Sequence, residues 1–235
     1  MKSTILLMAI GLLSSSVTFA DIKMIMQTTD GNLTTWANDN YFRTKLPKNQ
    51  EADQNPMPPG DMLGVFKMKK IYMIIDEKKL LIDMSAPMPF AAMSGNQKPP
   101  KLKIRFKNKG AGNKIAGMVT TKYDIIAQGQ KCFEVLTTKN KTYSALIKKY
   151  DSIDSPQGDS QNLCDEVENQ IDDEMSAKYG YAVKMTDANG KVQMLLKEFK
   201  TGIKAPKKYL SLPKGYRVTT MMEAMSEMMS GKLNQ

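Results

Sequence analysis

The chain has 235 residues, with 34 Lys+Arg against 24 Asp+Glu and a formal net charge of +10. It contains no histidine, which removes Ser-His-Asp and Cys-His nucleophile systems, His-ligated zinc or haem, and the usual proton shuttle. With no other catalytic constellation in the sequence, an enzyme is the least expected class.

Residues 1–20 read as a cleavable secretory signal. Lys2 supplies the positive start, Ile5 to Leu13 form a nine-residue apolar run, and Thr18-Phe19-Ala20 is a small-residue cleavage site. Nine residues at ~1.5 Å rise cannot cross a hydrocarbon core of roughly 30 Å, and no cysteine follows for lipidation. Residues 21–218 are therefore expected to form one soluble periplasmic domain, and residues 219–235 a Met-rich amphipathic helix. Export redirects the positive charge from nucleic acid to an anionic membrane surface, although a solubilising role is the plainer reading. In an oxidising compartment, the two cysteines predict a Cys132–Cys164 disulfide.

From Asp21 the pattern is that of strands. Residues 22–27 run into a turn at 29–32, and 33–37 and 41–46 continue the meander. Residues 47–61, rich in proline, read as a surface loop, with strand returning at 62–68. Ile71-Tyr72-Met73-Ile74-Ile75, the turn 76–79 and Leu80-Leu81-Ile82 make the most apolar hairpin. Its two apolar faces require cover on both sides, or cover on one and a cavity on the other. After an irregular stretch at 85–100, Leu102, Ile104 and Phe106 alternate with Lys101, Lys103, Arg105, Lys107 and Lys109. Period two thus places a row of positive charges on one sheet face, either a solvated outer surface or a platform for anionic headgroups.

Residues 118–126 and 131–138 predict a strand pair, and 143–149 a further strand. After a loop at 151–158 the period turns helical, with Leu163, Val167, Ile171 and Met175 at four-residue steps. Residues 181–185 and 191–199 flank Asp187-Ala188-Asn189-Gly190, a hairpin turn whose glycine comes too early for a calcium loop. Residues 210–212 and 216–218 predict short strands around Pro213-Lys214-Gly215, which also prevents Ser211-x-x-Lys214 from forming an acyl-transfer helix. Thr220 and Glu223 form a capping box for the last helix, and Gly231 suits its C′ position.

Twenty methionines are the compositional outlier. Met221, Met222, Met225, Met228 and Met229 share one helical face. That face is an ordinary core-facing stripe, an adaptable surface for acyl chains or a partner, or a Cu(I) site built on Met221, Met225 and Met228. No resident cofactor is implied.

Residues 21–24, the hairpin 70–84, Asp124-Ile125-Ile126-Ala127-Gln128-Gly129-Gln130-Lys131-Cys132, Tyr179-Gly180-Tyr181-Ala182-Val183-Lys184-Met185 and Leu212-Pro213-Lys214-Gly215-Tyr216 together resemble an exported bacterial family. That family is a domain of unknown function, similar in fold to periplasmic lipoprotein carriers of the LolA and LppX type. The resemblance implies an α+β fold: a strongly curved, mostly antiparallel sheet, a half-open barrel, with a few helices across its mouth and an apolar cavity between. Members of that family have no assigned enzyme activity, and no ligand residues carry over from them; the expected role is a binding or carrier one toward a lipid or lipoprotein. Tyr72, Met73, Ile74 and the 221–229 methionines are then the candidate cavity or lid residues. The tail after Val218 lies outside the resemblance.

Overall fold

The computed structural model describes residues 21–47, 60–85, 101–153, 162–171 and 173–230, and the side chains of Asp173 and Met228 are not among what it describes. The expected signal at 1–20, most of the loops at 47–61, 85–100 and 151–158, and Gly231 lie outside these residues. Among the described residues the protein is mostly sheet with four helices.

The strands are β1 (Ile22–Thr28), β2 (Gly31–Ala37), β3 (Tyr41–Lys45), β4 (Asp61–Val65), β5 (Lys70–Ile75), β6 (Leu80–Asp83), β7 (Ile104–Ile115), β8 (Met118–Ala127), β9 (Gln130–Thr138), β10 (Tyr181–Asp187), β11 (Val192–Thr201) and β12 (Arg217–Thr220). The helices are α1 (Lys141–Asp151), α2 (Leu163–Asn169), α3 (Asp173–Tyr179) and α4 (Met221–Met229). All twelve strands join one open sheet in the order β12-β6-β5-β4-β3-β2-β1-β11-β10-β9-β8-β7. Two meanders meet where β1 pairs with β11, and every pairing is antiparallel except β12 with β6.

The turns follow their chemistry. Asp187 Oδ1 accepts the backbone N–H groups of Asn189 and Lys191, each at 2.9 Å, and Gly190 takes the positive φ that the β10–β11 turn requires. The capping box of α4 forms as its spacing predicts. Glu223 N donates to Thr220 Oγ1 at 3.2 Å, and Thr220 N donates to Glu223 Oε2 at 3.0 Å.

Four expectations are corrected. Residues 143–149 are not a strand but most of α1, because Tyr143, Leu146, Ile147 and Tyr150 recur at helical spacing and Asn140 caps the start, accepting from Tyr143 N at 3.0 Å. The continuous helix over 163–175 is two short ones, α2 and α3, with Gln170 ending the first. Residues 66–68 leave the strand for a 3₁₀ turn that closes on Lys69 at φ 51°. Residues 210–212 form no strand; they belong to the connection that runs from β11 to β12.

That connection explains the two-faced hairpin. Tyr72 and Ile74 of β5 and Leu81 of β6 pack with Leu63 and Val65 beneath Leu212 and Tyr216. On the opposite face, Ile71 packs with Leu146 of α1, while Met73, Ile75, Leu80 and Ile82 pack with Met221 and Ala224 of α4. The hairpin is apolar on both sides because protein covers both sides.

The α1 helix is the hub of the interior. Tyr143 is 1 % exposed, packs edge-on to Phe199, and donates its hydroxyl to the Ala182 carbonyl at 2.8 Å. About two turns along the helix, Tyr150 meets Phe42 of β3 edge-on at 4.4 Å and Phe66 at 5.8 Å. Gly64 of β4 lies directly against the Phe42 ring, where any Cβ would collide with it.

Candidate functional site

The residues that the sequence singles out lie in three separate places. Tyr72, Met73 and Ile74 are 4 %, 8 % and 1 % exposed and lie in two core clusters on opposite faces of the sheet. On α4, Met221 is turned into the core, whereas Met222, Met225 and Met229 are exposed. The face therefore divides, and Met221 and Met225 of the Cu(I) set differ in environment; the Met228 side chain is outside the description. No cluster of three or more His, Cys, Asp or Glu suited to a metal occurs among the described residues.

The basic row takes the alternation expected. Lys101, Lys103, Arg105, Lys107 and Lys109 are exposed, while Leu102, Ile104 and Phe106 pack inward, Phe106 stacked on Tyr179 at 4.3 Å. The sequence did not disclose how far the neighbouring strands neutralise this face. Lys107 pairs in register with Asp124 of β8, Lys109 lies 3.9 Å from Asp124, and Lys131 lies 2.7 Å from it. Lys122 similarly meets Glu134 at 2.8 Å.

The hydrogen bond from Lys131, helped by the charges of Lys109 and Lys107, holds the Asp124 carboxyl below its ordinary value against the opposing effect of burial. A carboxylate depressed in the folded state contributes stability above its unfolded pKa and loses it as pH falls through the folded one. Exposed ammonium partners keep this contribution small, so a modest loss of stability is expected as pH falls through and below the ordinary carboxylate range. Urea denaturation across that range should show the loss in the wild type and a flatter profile in Asp124→Asn; identical profiles would exclude the coupling.

Two clefts stand apart from these places. The first, of about 690 Å³, lies between α2 and the sheet. Met26 of β1, Phe133 of β9, Met185 of β10 and Met194 of β11 supply its apolar lining, together with the Cys132–Cys164 disulfide. Register shifts fall at Ile25/Met26 and at Met185/Thr186, so the ladder is irregular where two of these thioethers enter. The predicted disulfide is present, with a Cα–Cα distance of 5.2 Å, and it ties α2 to β9. Asn162 caps α2, accepting from Cys164 N at 2.8 Å and Asp165 N at 3.1 Å, and Val167 anchors it at 0 % exposure. Asp165, Glu168 and Asp187 stand in the cleft lining; desolvation, then the Asp165 charge, pushes the Glu168 carboxyl up.

The second cleft, of about 580 Å³, is formed by β3 and the β11–β12 connection. Arg43, almost fully buried, donates to Asp61 at 2.8 Å and to Asp76 at 3.3 Å, and Tyr216 donates its hydroxyl to Asp76 at 2.8 Å. Trp36 and Tyr209 meet with ring centroids 4.8 Å apart. Neither cleft was legible in sequence, because each is assembled from segments that are far apart in the chain. The nearest signal was the cysteine pair, which marks one wall of the first.

No family description matches the chain, and no curated protein is similar to it. Among solved structures, PNGF-II is similar over 89 % of this chain and 33 % of its own, at 11 % identity and a TM-score of 0.40. MucB from the complex structure of Pseudomonas aeruginosa MucA/MucB is similar over 87 % of this chain and 59 % of that chain, at 9 % identity and a TM-score of 0.39. MucB alone gives 8 % identity and a TM-score of 0.36 over 85 % of this chain and 60 % of that one. The chain spans less than two thirds of the length of each of these structures.

Proposed function

We propose that the protein is a non-catalytic periplasmic binding or carrier protein, and that the cleft between α2 and the sheet takes an apolar ligand such as the acyl chain of a lipid or lipoprotein. One observation carries this reading: three thioethers, a phenyl ring and a disulfide converge on one cleft of about 690 Å³. Methionine is flexible and polarizable, and a lining of several methionines adapts to chains of different length. The disulfide holds the helix that forms one wall, so the cleft keeps its shape without a ligand.

The half-open barrel implied by the resemblance has a geometric argument in its favour. Residues from β5 through β8 gather in two clusters that share α1 and Phe199. Nine adjacent strands laid flat would span about 38 Å, yet α1 has 11 residues and is about 16 Å long. A sheet that curves around the helix resolves the mismatch.

Native mass spectrometry of protein purified from the cell envelope, followed by titration with a fluorescent fatty acid, tests the reading. Bound lipid or micromolar fatty-acid affinity is expected, with at least a tenfold loss in Met185→Glu/Met194→Glu. Protein that arrives empty and binds no fatty acid would overturn it.

A further inference from the structure

The second cleft concentrates positive charge in an unusual way. Arg43 Cζ lies 5.1 Å from the centroid of the Tyr209 ring, Lys45 Nζ lies 5.1 Å from it, and Lys208 Nζ lies 5.6 Å from it. Three cations thus surround one ring, no two of them further apart than about 11 Å. The ring quadrupole attracts each of them, but they repel one another.

Their neutralisation is uneven. Arg43 is paired with both Asp61 and Asp76, and Asp76 is further occupied by Tyr216. Lys45, Lys208 and Lys214 line the same cleft, and none of them lies within ion-pair distance of a carboxylate among the described residues. Lys45 and Lys208 are exposed, so their ammonium groups are open to a ligand. Elsewhere on the sheet, Lys109, Lys122 and Lys131 have carboxylate partners.

From this geometry we propose that the cleft formed by Arg43, Lys45, Lys208, Tyr209 and Lys214 is a binding site for a phosphoryl group carried on a larger body. Ammonium groups act as point charges suited to phosphate oxygens, and a dianion between Lys45, Lys208 and Lys214 removes their mutual repulsion. The cleft of about 580 Å³ is far larger than a bare phosphate, and Leu212, Pro213 and the Trp36–Tyr209 pair offer apolar surface beside the charges. That combination fits a headgroup with a small organic body. The site is independent of the cleft between α2 and the sheet, since the two share no residue.

Trp36 is the only tryptophan of the chain, beside Tyr209 of the cleft and with its ring 5.9 Å from Lys45 Nζ, so selectively excited tryptophan fluorescence reports on the surroundings of this cleft. The full exported protein is titrated with glycerol 3-phosphate, inorganic phosphate and vesicles containing phosphatidic acid, against chloride at matched ionic strength. A saturable change in Trp36 emission is expected with a phosphoryl ligand. At least tenfold weaker binding is expected in Lys45→Gln/Lys208→Gln, whose exposed positions leave the melting temperature within a few degrees of wild type.

Lys107→Gln/Lys109→Gln on the far sheet edge should bind as the wild type does. Saturation by glycerol 3-phosphate identifies a soluble phosphate ester, whereas a response to vesicles alone identifies a lipid headgroup. No saturable change with any of the three, or an equal loss in the Lys107/Lys109 variant, overturns the proposal. A fatty-acid result on the first cleft affects neither outcome.

Discussion

Replacing the disulfide by Cys132→Ala/Cys164→Ala is expected to lower the free energy of unfolding by about 3–4 kcal/mol, the chain-entropy value for a closed loop of this size. The two cysteines are 32 residues apart, and α2 and α3 both follow the intervening connection. A seven-residue helix has no stability of its own, so α2 depends on Val167, the Asn162 cap and the covalent tie to β9.

The same substitution should loosen one wall of the cleft between α2 and the sheet and weaken fatty-acid binding more than a surface change of equal size would. Chemical denaturation of the oxidised wild type beside the double variant measures the first effect. A difference below about 1 kcal/mol would mean that packing alone holds α2. A retained affinity would mean that α2 does not shape the cleft.

The second large effect is expected at Phe42. Truncation to alanine should cost about 3–5 kcal/mol, the usual range for a buried phenyl ring. Phe42 is 4 % exposed and joins three elements at once: it covers Gly64 of β4 and meets Phe66 and Tyr150 of α1. The space left behind cannot readily close, because neighbouring strands fix the backbone on either side.

Tyr150 provides the opposite sign in the same cluster. Its hydroxyl is buried with no hydrogen-bond partner among the described residues, and desolvation drives its ionisation far above the ordinary phenol range. Tyr150→Phe removes an unsatisfied polar atom while keeping the ring, so unchanged or slightly higher stability is expected. Thermal melts of the two single variants test the pair together; a Tyr150→Phe variant as unstable as Phe42→Ala would show that the hydroxyl has a partner.

Much of the architecture follows from local chemistry. Asp187 to Gly190 encode their hairpin because Asp, Asn and Gly satisfy the turn from within four residues. Thr220 and Glu223 encode the start of α4 by reciprocal capping. The alternation from Lys103 to Lys107 encodes a strand with one wet face. The apolar and aromatic residues of 143–149 suit a strand by propensity, and only the 3.6-residue spacing and the Asn140 cap identify α1.

Contacts between distant segments lay beyond such reasoning. Residues 206–216 carry no periodicity, yet they cover one face of β3 to β6 and thereby make Tyr72 and Ile74 core residues. Lys45 and Lys208 are ordinary lysines in sequence and share a ring only because β3 and the β11–β12 connection meet. The methionines of α4 look equivalent along the chain, and the packing of the helix on β5 and β6 alone separates buried Met221 from exposed Met222 and Met229.

By itself, then, the sequence determined the strand-rich class, the main turns, the cap of α4 and the pairing of its two cysteines. The tertiary structure decided which apolar residues are buried, which charges are neutralised and where the clefts open. The physical reason is range: turns and caps close their hydrogen bonds within a few residues, whereas tertiary hydrogen bonds and charge pairs join neighbours up to 184 positions apart, as the bond from Ala205 N to Asp21 Oδ2 and the ion pair of Lys23 with Glu198 illustrate at separations of 184 and 175.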